Sequence, residues 1–392
     1  FGIILPVLPY FAEKLGASSA VVALLASAFS LAQLAMAPVL GRLSDRFGRR
    51  PVLLISIAGS VVSSALLGIA GSVAMVFASR AMAGMSKANL ATANAYAADL
   101  VVPGQRARIM GRLGAAASLG LVVGPAIGGL LAVERLPTLP FFIAAGLSVL
   151  NFVLVWYWVP EPQRAASAVD LGAAARADDA PAKAAHAGPE RANALVWIVA
   201  VNTLFFVGYS SVQSTFALFT KQVFGWGSLE TGRTLMLMGA TMVLAQGLVV
   251  GRAVARLGEM GAAILGLTTF LGGAVILCWS AAAGNMIALL AGSMVLVTGV
   301  GLLQTSLTVL VSCLSPGSGK GLGLGIRESS SAGGRILGPV IGGLAFQLKG
   351  VTWPSIVGGV GAACGLAILL ALGGQRRSFI QAGVTRRRSK VA

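Results

Sequence analysis

The stretch GPAIGGL at Gly124–Leu130 returns 214 residues later as GPVIGGL at Gly338–Leu344, and this repetition decides the architecture. A second pattern, G-R-x-x-x-R-x-G, fills Gly41–Gly48 and returns 210 residues later at Gly251–Gly258. Because two independent landmarks are displaced by nearly the same number of residues, the sequence predicts two similar halves that arose by duplication.

The surroundings of most of the chain are predicted to be lipid. Of the 392 residues, 56% are hydrophobic and only 10% are charged, and the mean hydropathy is +0.87, whereas a soluble domain carries about 25% charged residues. Apolar runs of the ~20 residues that cross a bilayer recur along the chain. Their backbone must form its hydrogen bonds internally, so helices are predicted. A closed β-barrel is disfavoured because the runs are continuous and do not alternate.

The apolar runs predict an all-α membrane protein with twelve transmembrane helices in two pseudo-symmetric six-helix bundles. The bundles cover residues 1–159 and 193–374, with a polar cytoplasmic linker at 160–192 and a basic cytoplasmic tail at 375–392. Helix 1 is expected to be truncated, since the chain begins within an apolar run. In order, the predicted helices are 1–11, 19–40, 51–70, 73–98, 107–132, 139–159, 195–219, 232–250, 262–281, 286–309, 327–347 and 354–372.

Basic residues are distributed unevenly between the loops of this arrangement. If both termini and the linker are cytoplasmic, most of the 29 Lys and Arg residues lie on that side, as the positive-inside rule requires. The chain is therefore predicted to be a multi-pass protein of the plasma (inner) membrane, with an organelle membrane as the alternative. Topology and attraction to anionic lipid account for much of the net charge of +17, so nucleic acid is not an expected partner.

Residues that carry enzyme chemistry are sparse. Cys278, Cys313 and Cys364 are isolated within or beside apolar runs, and His186 sits in the polar linker. No nucleophile–base pair or metal-ligand spacing is present, and the glycine-rich run 321–325 follows no predicted strand. We therefore expect neither an enzyme, nor a metal or cofactor, nor a nucleotide-driven pump.

Several motifs resemble those of one family of membrane proteins. The ten residues GRLSDRFGRR from Gly41 to Arg50 resemble the signature loop of the major facilitator superfamily. The remaining matches resemble the drug/proton antiporter branch, and the last of them is similar to the tetracycline/proton antiporters in particular: Leu5–Pro9 in helix 1, Phe77–Gly84 in helix 4, Ser118–Leu131 in helix 5, and Ala95–Leu100 followed by Gln105–Arg108.

This resemblance implies a secondary active transporter that moves a small organic solute by alternating access, with proton-coupled efflux as the expected mode. The expected partners are the solute, protons and the lipid bilayer, and the chain is expected to act as a monomer. Two alternatives stay open: a carrier of organic anions, and a non-transporting receptor or structural subunit of a membrane assembly. Substrate, direction and coupling ion are not specified by the sequence.

A gating loop is predicted between helices 2 and 3. Its two glycines permit a tight turn, and Asp45 can pair with an arginine or face a helix N-terminus. The resemblance implies that Asp45 bridges the halves near the start of helix 11 at Arg327; the alternative is that these charges only set topology. The predicted gating residues are Gly41, Asp45, Arg46, Gly48, Arg49 and Arg112.

The repeated Gly-Pro stretches are predicted to act as hinges. Glycines spaced four apart share one helix face and allow close approach, and a proline frees a carbonyl and bends the helix. Static packing without bending is the alternative. The hinge candidates are Gly120, Gly124, Pro125 and Gly128 in helix 5, and Gly338, Pro339 and Gly342 in helix 11.

Charged side chains in spanning helices mark the candidate cavity. Arg80 lies at the arginine position of the family motif, which implies a part in proton coupling, and Lys87 lies two turns along the same face. No Asp or Glu is visible deep in the predicted helices, so this positive face suits an anionic or zwitterionic solute. Lys87 could instead snorkel. Further polar candidates, each of which could instead form an interhelical hydrogen bond, are Gln33, Asn89, Gln213, Gln246 and Gln304, with Asn94 and Asn202.

Overall fold

A computed structural model describes residues 1–87, 96, 106–132, 136–160, 189–314 and 320–388. This part of the chain is helical and contains no β-strand. After a short 3-10 turn at Gly2–Ile4, the helices are α1 Leu8–Lys14, α2 Ser19–Phe47, α3 Arg49–Gly68, α4 Val73–Lys87, α5 Arg106–Leu131, α6 Leu139–Trp158, α7 Pro189–Phe224, α8 Ser228–Leu244, α9 Gly251–Ala283, α10 Met286–Leu314, α11 Lys320–Lys349 and α12 Trp353–Arg388.

Seven helical stretches among the described residues are long and apolar enough to cross a membrane. One of them, Ser228–Ala283, contains α8, a π-helical segment at Ala245–Val250 and α9. Its 56 residues would extend about 84 Å as one straight helix, far beyond a bilayer. The run is interrupted at Gly258, whose backbone angles are not helical (φ 70°, ψ 173°).

The prediction that helix 11 begins near Arg327 was wrong. α11 begins at Lys320, so Arg327 lies two turns inside the helix. α11 contains the three glycines of the 321–325 run, although each glycine weakens an isolated helix by roughly 1 kcal/mol. Helix propensity is a weak preference that tertiary packing routinely overrides, and this 30-residue helix is such a case.

Other boundaries also differ from the sequence prediction: α2 continues to Phe47 and α9 begins at Gly251. α7 begins at Pro189, within the predicted linker, and α12 continues to Arg388 through most of the predicted tail. Residues 161–188, which form most of the predicted linker, and residues 88–95 and 97–98 of predicted helix 4 lie outside the described part.

The chain forms two compact units. Unit 1 comprises Phe1–Ala185 with Ser214–Gly239, and unit 2 comprises His186–Gln213 with Ala240–Ala392. The end of α7 and most of α8 therefore belong with the first unit, although the sequence assigns them to the second bundle.

Glycines bring helix backbones together within unit 1. A Cβ added to Gly84 in α4 would overlap the carbonyl oxygen of Phe29 in α2. A Cβ on Gly124 in α5 would lie 2.8 Å from the Cα of Gly2, and one on Gly128 would overlap the carbonyl oxygen of Ile3. Such contacts are shorter than the 3.5–4.0 Å of normal packing, so these positions require glycine.

Unit 2 contains a second set of close helix contacts, between α9 and α10. A Cβ on Gly273 would lie 2.6 Å from the nitrogen of Leu296, and one on Gly299 would lie 2.5 Å from the nitrogen of Phe270. The sequence analysis did not identify these glycines, because they occur in long apolar runs with no Gly-Pro pair beside them.

The turns of the two halves repeat. Gly48 and Gly258, which end the two copies of the G-R-x-x-x-R-x-G pattern, both have positive φ (104° and 70°). Gly16 after α1 and Gly225 after α7 form another such pair, with φ of 87° and 67°. Only glycine adopts these angles without strain, so the duplication seen in the sequence extends to the backbone.

Candidate functional site

The predicted gating loop is held by local hydrogen bonds around Ser44. The Ser44 hydroxyl donates to the carbonyl of Gly41 (2.8 Å) and accepts from the Arg49 guanidinium (2.7 Å). Gly41 lies inside α2 and only Gly48 forms the turn, so the prediction that both glycines act in the turn was wrong.

The arginines of this loop contact aromatic rings. Arg46 lies over the ring of Phe47, 5.4 Å from its centroid. Arg50 donates to the carbonyl of Trp156 at the end of α6 (2.5 Å) and lies over the indole of the same residue. The side chains of Asp45 and Arg112 lie outside the described part, so the predicted latch remains a prediction.

The hinge candidates lie at close helix contacts, with one exception. Gly124 and Gly128 pack against the turn at Gly2–Ile4, whereas a Cβ on Gly120 would meet nothing within 4 Å. In unit 2, a Cβ on Gly338 would lie 2.5 Å from the carbonyl oxygen of Val207, and one on Gly342 would overlap the Ser211 side chain. Pro125 and Pro339 lie inside continuous helices, α5 and α11. Whether these helices bend during function remains a prediction.

Arg80 and Lys87 line one cavity in unit 1. Its volume is about 340 Å³, which is within the range of small-molecule sites. The wall from α4 carries the two cations, and Phe1 and Phe29 lie beside them. The other polar lining residues come from α3 and α6: Ser60, Ser63, Ser64, Ser148 and Asn151.

The two cations are stacked on aromatic rings. The Arg80 guanidinium carbon lies 4.6 Å from the centroid of Phe29, and the Lys87 ammonium lies 5.0 Å from that of Phe1. Such contacts are worth about 2 kcal/mol when desolvated. Arg80 is only 4% exposed, and its Nε has no hydrogen-bond partner within the described residues. Lys87 is exposed and lines the cavity, and among the described residues that line the cavity there is no Asp or Glu.

The predicted glutamines do not join this cavity. Gln33 is half-buried in α2, and Gln213 and Gln246 are exposed. Gln304 is half-buried in α10, where its backbone carbonyl accepts a hydrogen bond from Arg327 (3.2 Å). Asn89 lies outside the described part. The candidate cavity therefore contains two of the predicted residues and a set of serines that the sequence analysis missed.

Those serines carry a signal that the sequence analysis could have used. Ser63 and Ser64 follow Ser60 by three and four residues, so all three serines lie on one face of α3. Polar residues on one helix face indicate contact with another helix and not with lipid. Their contact with the same cavity as Ser148 and Asn151 of α6 depends on how distant segments of the chain pack. No local sequence pattern therefore predicts the complete polar lining of the cavity.

Unit 2 contains a buried polar cluster around Asn202. The fully buried amide nitrogen of Asn202 lies within hydrogen-bond distance of the hydroxyls of Ser330 (2.7 Å) and Ser331 (2.9 Å) and of the carbonyl of Arg327 (3.2 Å). The cluster joins α7 to α11. It places Asn202 in an interhelical hydrogen-bond network, one of the two roles that the sequence left open.

A carboxylate lies inside α11. Glu328 pairs with Arg335 seven residues later (2.9 Å), and Arg335 also lies over the ring of Phe206. The sequence analysis placed Glu328 at a helix start because it began helix 11 too late, and it therefore missed this ion pair.

A further network lies within unit 1, where the end of α7 and the start of α8 pack on the first helices. The Tyr10 hydroxyl lies 2.7 Å from the buried hydroxyl of Thr231, which lies 3.1 Å from that of Thr220. Lys221 forms an ion pair with Glu13 (2.5 Å). A Cβ on Gly129 of α5 would lie 2.7 Å from the carbonyl oxygen of Ser228.

Long apolar helices, a duplicated backbone and a charged cavity enclosed by helices define a multi-pass integral membrane protein of the transporter class. The sequence model described as Major Facilitator Superfamily matches residues 1–321. The chain belongs to this superfamily, whose members are transporters of small-molecule solutes and not enzymes, and the family resemblance seen in the motifs is thereby confirmed.

Several relatives resemble most of the chain. "Tetracycline resistance protein, class B" of Escherichia coli is 29% identical over 94% of this chain and 90% of its own length. "Multidrug resistance protein 1" of Bacillus subtilis is 28% identical over 94% and 92%. The crystal structure of the human organic anion transporter MFSD10 (TETRAN) superposes with a TM-score of 0.67 at 25% identity, covering 94% of this chain and 95% of that one.

Proposed function

We propose that this transporter is a secondary carrier that exports a small organic anion in exchange for protons. The observation behind this proposal is the cavity of unit 1, in which Arg80 and Lys87 provide two positive charges and the lining residues that the structure describes include no acidic one. A cation desolvated in a membrane helix costs about 3 kcal/mol by insertion scales, so it requires water, a partner or a use. An anionic solute supplies the opposite charge.

The relatives support both parts of this proposal. The neighbour MFSD10 is described as an organic anion transporter, which agrees with the sign of the cavity. The tetracycline and multidrug resistance proteins suggest efflux, for which protons are the expected coupling ion. Arg80, buried at the family's arginine position, is the residue that we expect to respond to protonation along the path.

The proposed topology has twelve membrane spans in a plasma membrane, with both termini in the cytoplasm. In this topology the Tyr10–Thr231 and Glu13–Lys221 contacts lie at the non-cytoplasmic end of the protein. These contacts lie within unit 1, which comprises residues 214–239 together with the first helices. Alternating access by a monomer then requires these contacts to break in each cycle.

The experiment compares an anion with its neutral isostere. Binding of indole-3-acetate and of indole-3-acetamide to the purified protein in nanodiscs is measured by calorimetry. The anion should bind more tightly, and Lys87→Gln should weaken only the anion, by about tenfold or more, because a hydrogen bond to a charged group is worth 1.5–3 kcal/mol. Lys14→Gln, at the end of α1 and away from the cavity, is the matched control.

Two further measurements separate the alternatives. If Lys87 has only a structural role, Lys87→Gln lowers the melting temperature and weakens both ligands equally. If the carrier handles cations instead, tetraphenylphosphonium binds more tightly than either indole, and the anion proposal is wrong. Proton coupling is tested in proteoliposomes. An imposed pH gradient should drive accumulation of the anion, and a protonophore that collapses the gradient should stop that accumulation.

A further inference from the structure

The cavity of unit 1 has a second polar region, which carries no charge. α3 and α6 contribute Ser60, Ser64, Ser148 and Asn151 to its lining, and we call these four residues the hydroxyl–amide wall. Phe29, Arg80 and Lys87 belong to α2 and α4. The polar lining is thus divided by helix: the two cations lie on α4, and the uncharged hydrogen-bonding groups lie on α3 and α6.

Two members of the wall already use their protons. Ser60 donates to the carbonyl of Ser56 (3.1 Å), and Ser148 donates to the carbonyl of Ala144 (2.9 Å), in each case on its own helix. A hydroxyl that donates in this way keeps lone pairs that can accept from another group. These two serines therefore present acceptors to the cavity.

The other two members of the wall have unused capacity in both directions. Within the described residues, the side chains of Ser64 and Asn151 make no hydrogen bond. Ser64 is only 8% exposed, but it lines the cavity, so its hydroxyl is available to a group bound there. Asn151 is exposed and offers an amide that both donates and accepts. A bound group that both donates and accepts hydrogen bonds can donate to one of the serine acceptors and accept from Ser64 or Asn151.

Given the anion transport proposed above, on which this assignment rests, we propose that the solute is an organic acid that carries a hydroxyl or amino substituent. Its acid group faces Arg80 and Lys87, and its substituent bonds to the hydroxyl–amide wall. An unsubstituted acid of the same shape leaves Ser64 and Asn151 unpaired and is the poorer ligand. The cations and the hydroxyl–amide wall together therefore favour a solute that is polar at both ends.

The test uses pairs of acids that differ by one hydroxyl group. The pairs are benzoate and 4-hydroxybenzoate, phenylacetate and 4-hydroxyphenylacetate, and indole-3-acetate and 5-hydroxyindole-3-acetate, each titrated into the wild-type protein in nanodiscs by calorimetry. We expect the hydroxylated acid to bind about fivefold more tightly in at least one pair, the effect of one net hydrogen bond. Ser64→Ala and Asn151→Ala should each remove most of that preference.

The chain offers a close control for the serine variant. Ser56 lies two turns before Ser64 on α3; it is also buried, and its hydroxyl also has no partner in the described residues, but it does not line the cavity. Ser56→Ala should therefore leave the preference unchanged. Asn151 is exposed, so Asn151→Ala keeps the test valid if the buried serine variants lose stability.

The outcomes separate this inference from the function on which it rests. If the wild type binds acids no more tightly than their neutral amides, the proposed anion transport is wrong. If acids are preferred but no pair shows a hydroxyl preference, only the role of the hydroxyl–amide wall is overturned. That role is likewise overturned if the preference survives Ser64→Ala combined with Asn151→Ala, or if Ser56→Ala removes it equally.

Discussion

Two adjacent glycines of α11 should respond in opposite ways to the same substitution. A Cβ on Gly334 would overlap the Cβ of Phe206 in α7 and would lie 2.9 Å from the nitrogen of Val207. A Cβ on Gly333 would meet nothing within 4 Å. Gly334→Ala therefore inserts a methyl group into a closed contact, whereas Gly333→Ala points the same group into open space.

The magnitude follows from the geometry. Normal packing needs about 3.5 Å, so α11 and α7 must separate by roughly 0.6 Å to relieve the contact with Val207 and by more than that to relieve the overlap with the Phe206 Cβ, and overpacking of this kind costs about 1–3 kcal/mol or more. Both variants gain roughly 0.5–1 kcal/mol because alanine favours a helix over glycine. Since that gain cancels in the comparison, Gly334→Ala should be less stable than Gly333→Ala by about 1–3 kcal/mol.

The assay is reversible unfolding in mixed detergent micelles, which measures the free energy of unfolding of each variant. Equal stabilities, or a less stable Gly333→Ala, would refute the packing argument. Transport by folded Gly334→Ala then distinguishes a hinge from static packing. A hinge loses rate even at temperatures where the variant is fully folded, whereas static packing loses only stability.

Three other predictions concern the loop and the end of unit 1. Gly48→Ala should lower the free energy of unfolding by about 1–3 kcal/mol, because Gly48 has φ 104°, while Gly41→Ala, inside α2 and facing open space, should raise it slightly; equal effects would contradict this. Asp45→Asn should slow proteoliposome uptake without lowering the melting temperature, and normal uptake would exclude a latch. Thr231→Val should weaken the contact with Tyr10 (2.7 Å) and favour the state open at that end. The readout is faster cysteine labelling of a Leu15→Cys reporter, at a half-buried position after α1, in a background with the three native cysteines replaced; unchanged labelling would count against a gate there.

Local sequence patterns predicted most of the helices because lipid leaves the backbone few alternatives. The starts of α2 at Ser19, α6 at Leu139 and α10 at Met286 agree with the apolar runs. The start of α11 did not, because the helix continues through the glycines at 321–325, which are unfavourable in isolated helices. The late predicted start placed Arg327 and Glu328 at a helix boundary, whereas both lie inside α11.

The candidate site could be predicted only where its residues share one helix. Arg80 and Lys87 are seven residues apart on α4, and helical periodicity alone places them on one face. The serines of α3 and Asn151 of α6 are nearly ninety residues apart, so their meeting in one cavity depends on the packing of α3 against α6. Gln213 and Gln246 are polar residues in apolar runs, but they do not line this cavity. A polar residue in a spanning helix is therefore not enough to predict a place in the site.

The turn between α2 and α3 has a consequence for how the protein is made. The hydrogen bonds of Ser44 join it to Gly41, Gly48 and Arg49, all within nine residues of chain, whereas Arg50 reaches Trp156 of α6. The bonds of Ser44 therefore need nothing from later segments. They can form while the ribosome is still synthesising the second half, so the hairpin of α2 and α3 can enter the membrane with this turn already set, and the contact of Arg50 is added when α6 arrives.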